Sequence, residues 1–243
     1  MTLLRDRGLA RAFDHASHTY DRLTALNPGY RTGLPRSARR LRLPRAGAGQ
    51  RILGPGCGTD AATPALLRAA PHARITAVDA SWRTLGRALA TPWPSHVRFQ
   101  HLTAGEAATA GEGPYDTVFA ACLFRDVTDP DGVLTTVRSP LRPGKRLAVH
   151  EYSLSGPAAH RALRTAVCRG VAIPAGTLGG ARALHRPLWR SVLGFDPAPD
   201  VTDRRERAGL TDVRIVPVAG WRTGIVHTFL ARNGSAAPRE HAR

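Results

Sequence analysis

The sequence predicts an α/β protein with a mainly parallel sheet of about seven strands, an antiparallel terminal hairpin and an N-terminal helical cover. Short apolar runs alternate with stretches of helical periodicity across residues 51–151, which is typical of a parallel sheet with helices on both faces. Two further apolar runs near the C-terminus are joined by a short Gly-containing connection, which favours a hairpin. A glycine-dense turn follows the first run, at the sheet edge where such folds bind ligands.

The elements follow one another in a regular order. Residues 1–46 have apolar positions at helical spacing, interrupted by Asn27-Pro28-Gly29. Strands are expected at residues 51–54, 74–78, 97–101, 117–121, 146–151, 213–218 and 226–231. Helices are expected at about residues 61–70, 82–90 and 131–138.

Other segments separate these elements. Pro143-Gly144 is expected to form the turn before the fifth strand. Residues 153–200 are rich in Gly, Pro and Arg and predict a helical insertion, whereas residues 233–243 predict a disordered tail. We therefore expect residues 1–232 to form one domain, a normal size for a single core.

Composition limits the class of protein. The chain of 243 residues contains no apolar run of about 18 residues and no N-terminal secretion signal, so neither a membrane span nor export is expected. Its three cysteines lack metal-ligand spacing, which predicts a reduced cytoplasmic protein without a metal. The oligomeric state is left open.

The formal charge of +17 raises the question of a nucleic-acid partner. The arginines are scattered along the whole chain and Lys145 is its single lysine, so we interpret the charge as compositional bias and expect no nucleic acid. The densest cluster, residues 36–45, is interpreted as the solvated face of a helix and its exit. A phosphate-binding surface there and peripheral membrane contact remain alternatives.

The most informative stretch is GPGCGTD at residues 54–60, followed about twenty residues later by a strand ending in Asp79. Glycines let the backbone turn sharply and approach a ligand, and an acid at the tip of the second strand can accept hydrogen bonds from ribose hydroxyls. This combination predicts an adenosine-containing cofactor. The spacing GxGxG with GCGT at its centre resembles motif I of class I S-adenosylmethionine (SAM) methyltransferases, and so implies a Rossmann-like fold.

Several segments in order also resemble the ubiquinone/menaquinone-biosynthesis C-methyltransferases. They are FDHASHTYD (13–21), GPGCGTD (54–60), AVDAS (77–81), YDTVFAACLFRDVTDPDGVL (115–134), LRPGKRLAVHEYS (141–153) and AGLTDVRIVPVAGWRTGIVHTFLAR (208–232). The resemblance implies SAM as the cofactor and a small hydrophobic acceptor. It implies cofactor contacts at Gly54, Gly56, Cys57, Gly58, Asp60, Asp79, Ala80, Thr103, Ala104 and Ala121.

The chain departs from this family at several cofactor positions. Gly54 replaces an acid at the end of the first strand, and Thr103 stands where the family often has an acid beside the adenine amino group. Asp60 replaces a glycine. It serves either as a helix cap or as a partial replacement for the missing acid.

The candidate catalytic residues follow the fourth and fifth strands. Arg125 and Asp126 are expected at the carboxyl edge, where substrates bind. An arginine can stabilise a phenolate or a hydroxide, and the resemblance implies this role for Arg125; a surface ion pair with Asp126 or Asp129 is the alternative. His150 and Glu151 are expected to face the same edge, with His150 either a general base or a structural histidine.

Other candidates rest on weaker signals. Tyr20 and His18 belong to the N-terminal element that covers the cofactor in the family, and Tyr20 either contacts cofactor or acceptor or packs in the core. His227 is a weaker histidine candidate. Three aromatic residues either line an acceptor pocket or pack the insertion onto the sheet: Trp189, Phe195 and Trp221.

These observations predict a SAM-dependent methyltransferase that acts on a hydrophobic aromatic, quinone-like or polyketide acceptor, at carbon. One alternative keeps the fold but promotes cyclisation or rearrangement without methyl transfer. Another, suggested by charge alone, is an RNA-binding or RNA-modifying protein, although the sequence has no aromatic RNA-reading motif.

Overall fold

The computed structural model describes residues 30–59, 61–110, 113–154, 197–220 and 222–234, together with positions 11, 14, 162, 165, 166, 169, 170, 192 and 195. Within this part of the chain seven strands form one sheet. They are β1 (Arg51–Pro55), β2 (Arg74–Asp79), β3 (Val97–His101), β4 (Tyr115–Ala121), β5 (Leu141–Tyr152), β6 (Leu210–Pro217) and β7 (Val226–Asn233).

The strand order is β3-β2-β1-β4-β5-β7-β6. The first five strands pair in parallel, whereas β7 runs antiparallel to both β5 and β6. The predicted parallel sheet with an antiparallel terminal hairpin is therefore confirmed. Five α-helices accompany the described strands: α1 (Tyr30–Arg39), α2 (Ala62–Ala69), α3 (Trp82–Leu89), α4 (Pro130–Arg138) and α5 (Ala198–Arg207). Three short 3₁₀ segments also occur, at Pro44–Gly47, Ala104–Thr109 and Phe124–Asp126.

The helices cover both faces of the sheet because neighbouring strand residues point to opposite sides. Ile52 packs in a core that includes residues of α1 and α2, while Leu53 packs in a second core that includes residues of α4 and α5. On β5, Ala148 belongs to the first core and Val149 to the second. No described helix has the length and apolar character needed to span a membrane.

One turn was predicted in the wrong place. Pro143-Gly144 lies inside β5, because Leu141 already pairs with Tyr115 and the regular register resumes only at Arg146. The extra residues form an irregularity that the sheet tolerates, since a bulge leaves residues unpaired without ending the strand. Apart from positions 11 and 14, the N-terminal cover is described from Tyr30 onward, directly after Asn27-Pro28-Gly29.

Candidate active site

A cavity of about 650 Å³ lies at the carboxyl ends of β1, β2 and β4. This edge is the expected ligand position in an open parallel sheet. Most of the predicted site residues line this one cavity: Gly56, Cys57, Gly58, Asp79, Ala80, Thr103, Ala104, Ala121, Arg125 and Asp126. The described part of the chain thus brings the cofactor candidates and two catalytic candidates to a shared space.

The glycine turn forms one wall of the cavity. Gly56 and Gly58 both have positive φ, at 65° and 68°, a conformation that favours glycine. A Cβ at Gly56 would lie 3.0 Å from Cδ1 of Leu123, whereas a Cβ at Gly58 would meet no atom within 4 Å. Gly58 therefore exposes its backbone to the cavity. Burial raises the pKa of the Cys57 thiol well above its usual value, so this thiol is not a ready nucleophile.

Asp79 ends β2 with its carboxylate fixed beside that turn. Its Oδ2 accepts a hydrogen bond from Gly58 N at 2.9 Å, and its Oδ1 accepts one from Ser81 N at 2.9 Å. Burial raises the pKa of this carboxyl, while the two backbone donors oppose that shift. The glycine turn and the acid of the second strand are thus joined directly by a hydrogen bond.

Glu106 is a cavity-lining carboxylate that our sequence analysis missed. Its Oε2 accepts hydrogen bonds from Thr103 N at 2.9 Å and from Thr103 Oγ1 at 2.7 Å. The signal was present, because Thr103 and Glu106 have the spacing of a capping box. A carboxylate therefore does lie beside Thr103, supplied from three residues further along the chain.

Arg125 is buried, with 8% of its surface exposed, and both ends of its guanidinium meet carboxylates. Nη1 forms an ion pair with Glu151 Oε1, and Nη2 lies 3.2 Å from Asp126 Oδ2. Burial by itself would lower the pKa of Arg125, but these two acids more than offset it and raise the pKa well above its usual value. The buried Nε of Arg125 has no hydrogen-bond partner among the described residues.

Glu151 was expected at this edge of the sheet, but the sequence analysis gave it no role in the site. It is completely buried, and its carboxylate also accepts hydrogen bonds from Phe124 N at 3.1 Å and from Tyr152 N at 2.9 Å. Burial raises its pKa, and the charge of Arg125 opposes that shift. Since Phe124 begins the 3₁₀ segment that contains Arg125, Glu151 ties that segment to β5. The alternative interpretation of Arg125, a surface ion pair, is replaced by a buried pairing with Asp126 and Glu151.

His150 does not line the cavity. It follows Val149 on β5 and points to the sheet face opposite Glu151, because successive strand residues alternate. Its Nδ1 lies 2.7 Å from Ser37 Oγ on α1. Both residues lie near the end of β5, as expected, but their side chains point to opposite faces of the sheet, and the structure favours the structural role of His150.

The remaining candidates lie elsewhere. Gly54 is buried within β1 and does not line the cavity. His227 is buried on β7, with its ring centroid 5.9 Å from that of Phe229, and Phe195 packs against the core on the α4 and α5 side. The other candidates fall outside the described residues: His18, Tyr20, Asp60, Trp189 and Trp221.

Comparison with known proteins agrees with this geometry. Residues 46–182, more than half of the chain, match the family model of a methyltransferase domain. The chain belongs to the methyltransferase-domain family. The predicted methyltransferase family is thus confirmed.

Two curated proteins are similar to this chain in sequence. A ubiquinone biosynthesis O-methyltransferase of Aeromonas salmonicida is 31% identical over 103 residues, which cover 42% of each chain. The chain spans about two fifths of the length of the curated relatives it matches, which also include an uncharacterised Synechococcus protein. The activities of these longer relatives therefore cannot be assigned to this chain.

Two solved structures have a similar fold. A Burkholderia thailandensis 1,6-didemethyltoxoflavin-N1-methyltransferase has a TM-score of 0.64 at 17% identity, covering 97% of this chain and 92% of its own. Human N-acetylserotonin methyltransferase in complex with SAM has a TM-score of 0.60 at 14% identity, covering 94% of this chain and 56% of its own. At these identities the likeness establishes the fold alone.

Proposed function

We propose that this protein transfers a methyl group from SAM to a small hydrophobic aromatic, quinone-like or polyketide acceptor, at carbon. One observation carries the proposal. The glycine turn with Asp79 and the buried Arg125–Asp126 pair line the same cavity, so a nucleoside cofactor and a polar acceptor group fit within one space. Methyl transfer needs these two reactants held in a near-attack geometry, and a shared cavity supplies this proximity.

The cofactor part of the cavity fits SAM by its chemistry. Asp79 holds its carboxylate against Gly58 N and retains acceptor capacity for ribose hydroxyls. The open space over Gly58 admits close approach of a ligand. When bound, SAM supplies an electrophilic methyl group on a sulfonium.

The acceptor part of the cavity is organised by Arg125. Its Nε–H is a buried donor that an acceptor oxygen can satisfy, and leaving such a donor unpaired is costly. Asp126, also in the lining, accepts the proton that a phenol-like acceptor loses as its ring carbon becomes nucleophilic. Glu151 fixes the guanidinium from behind, because it contacts Arg125 and is itself fully buried.

The names of the relatives support a small-molecule acceptor. They refer to ubiquinone biosynthesis, a didemethyltoxoflavin and N-acetylserotonin. The names also include an O- and an N-methyltransferase, and a further structural neighbour is a carbon methyltransferase. The choice of carbon therefore rests on the sequence resemblance.

One observation favours a second candidate function. Gly54 stands where the resembled family carries an acid at the end of β1, so this strand brings no carboxylate toward the cofactor. A protein that binds SAM and promotes cyclisation or rearrangement, without methyl transfer, is consistent with this change.

The two functions differ in their products. Purified protein is incubated with SAM and a panel of phenols, hydroquinones and aromatic polyketides, and the demethylated cofactor and methylated product are quantified by mass spectrometry. Methyl transfer predicts equal amounts of the two products. SAM binding together with conversion of an acceptor, but without demethylated cofactor, would overturn methyl transfer in favour of the second function. Absence of SAM binding would contradict both.

A further inference from the structure

Asp14, from the N-terminal stretch FDHASHTYD, contacts the start of α3. Its Oδ1 accepts hydrogen bonds from Ser81 Oγ at 2.6 Å and from Arg83 N at 3.1 Å. These residues are 67 and 69 positions away in sequence. The contact therefore ties an N-terminal residue to the loop that follows β2.

Ser81 is shared between Asp14 and the cofactor site. Its backbone N–H donates to Asp79 Oδ1 at 2.9 Å, while its hydroxyl accepts from Thr84 N at 3.1 Å and caps α3. Ser81 is 1% exposed, and both Ser81 and Thr84 line the cavity. Asp14 and Asp79 thus hold the same buried residue from two sides, and a shift of Ser81 would move the donor that orients the Asp79 carboxylate.

Helix capping explains one of the two contacts, because Arg83 N lies in the first turn of α3, but it does not explain the hydrogen bond from Ser81 Oγ to Asp14. Ser81 already satisfies Thr84 N, as an N-cap serine normally does. Asp14 adds a second carboxylate close to Asp79, and its charge contributes to the raised pKa of Asp79. Two like charges held near each other are unfavourable, and the N–H groups at the start of α3 offset part of that repulsion.

We propose that Asp14 is a positioning residue for the cofactor. It holds Ser81 so that Asp79 keeps the orientation in which it receives the ribose, and cofactor affinity therefore depends on a residue of the N-terminal stretch. The inference rests on the proposed function, since it assumes SAM at Asp79. It assigns no contact between Asp14 and the cofactor itself.

Three variants of the full-length chain test the proposal: Asp14→Ala, Asp14→Asn and the control Asp131→Ala. SAM affinity is measured by calorimetry, and KM for SAM and kcat are determined once an acceptor is known. Asp14→Ala should weaken SAM affinity about tenfold and raise KM while changing kcat little, as expected for lost hydrogen bonds to a charged acceptor. Asp14→Asn should stay within about twofold of wild type, because its amide oxygen accepts the same two hydrogen bonds. Asp131, an exposed acid paired with Arg204, should have no effect on SAM binding.

Two results would overturn the proposal. The first is Asp14→Ala with wild-type SAM affinity, and the second is Asp14→Asn that is as weak as Asp14→Ala, since the hydrogen bonds would then not carry the effect. If wild type itself fails to bind SAM, the proposed function fails. If wild type binds SAM and Asp14→Ala binds it equally well, the role of Asp14 alone fails.

Discussion

The end of β5 carries two buried polar residues side by side, and they belong to different parts of the molecule. Glu151 points toward the 3₁₀ segment that contains Arg125, and through Arg125 it reaches the cavity. His150 points toward α1 and meets Ser37. Both residues are fully buried. Their comparison separates a buried group that supports a site from one that supports the fold.

The Glu151 side is charged. One carboxylate is balanced by a buried guanidinium and two backbone N–H groups, and the guanidinium is also balanced by Asp126. Arg125 additionally lies over the ring of Tyr152, 5.4 Å from its centroid. Such a cluster costs desolvation energy, which the paired charges and the hydrogen bonds to the carboxylate offset.

The His150 side holds an imidazole and two hydroxyl groups beside cationic arginines, with no carboxylate in its hydrogen-bond chain. Hydrogen bonds run from Arg40 Nη1 to Thr228 Oγ1 at 2.6 Å, between Thr228 and Ser37 at 2.7 Å, and between Ser37 and His150 at 2.7 Å. Burial, and then the charge of nearby arginines, lowers the pKa of His150 well below its usual value. The imidazole therefore stays neutral, and its hydrogen bond with Ser37 connects α1 to the sheet. The difference shows that alternation along the strand, and not the intrinsic reactivity of the side chain, decides whether His150 or Glu151 contacts the segment that lines the cavity.

The largest expected effect is on Glu151. Glu151→Ala leaves Arg125 buried with one carboxylate fewer, and removing one partner of a buried ion pair typically costs about 3–5 kcal/mol. We expect a loss of this size in the free energy of unfolding, measured by urea denaturation. A loss below about 1 kcal/mol, the scale of exposed pairs, would contradict a buried cluster.

The next effect concerns Arg125. Arg125→Lys keeps the charge but loses the planar fork, so it cannot contact Glu151 and Asp126 while presenting Nε–H to an acceptor. Turnover should fall by roughly 10²-fold, the scale of one lost electrostatic donor, with SAM affinity within about twofold of wild type. Arg142→Lys is the matched control, because Arg142 pairs with Asp116 and does not line the cavity. If Arg125→Lys had wild-type turnover, Arg125 would have only a structural role, as part of an ion pair.

The smallest expected effect is a pH dependence of the free energy of unfolding that arises from His150. Because the pKa of His150 is lower in the folded state than its ordinary 6.5, the unfolded chain binds a proton below pH 6.5 that the folded chain does not. Stability should therefore fall as the pH drops below about 6.5, by at most about 1.4 kcal/mol per pH unit from this group. His150→Asn should reduce that slope, in urea denaturation at several pH values, without slowing turnover at neutral pH. An unchanged slope would mean that His150 titrates normally.

The sequence predicted the strands and the glycine turn well but predicted the side-chain partners poorly. Both outcomes have the same physical reason. Periodicity and glycine spacing report local backbone geometry, so the seven strands and the pairing of the glycine turn with Asp79 were accessible. The opposite directions of His150 and Glu151 were also implied by alternation along a strand, and we overlooked that constraint. One partner of Arg125, its neighbour Asp126, was named from the sequence, whereas the other, Glu151, depends on how the segment after β4 packs on β5, and no local pattern reports that packing. Glu106 is an intermediate case, because its capping-box spacing was visible but its place in the cavity was not.

The central claim is that SAM binds with its ribose at Asp79. Calorimetric titration of SAM into wild type and Asp79→Ala tests it most directly. We expect wild type to bind and Asp79→Ala to bind more weakly by roughly 1.5–3 kcal/mol, the range for hydrogen bonds to a charged group. Equal affinity of the two proteins for SAM, with Asp79→Ala still folded by circular dichroism, would contradict the account.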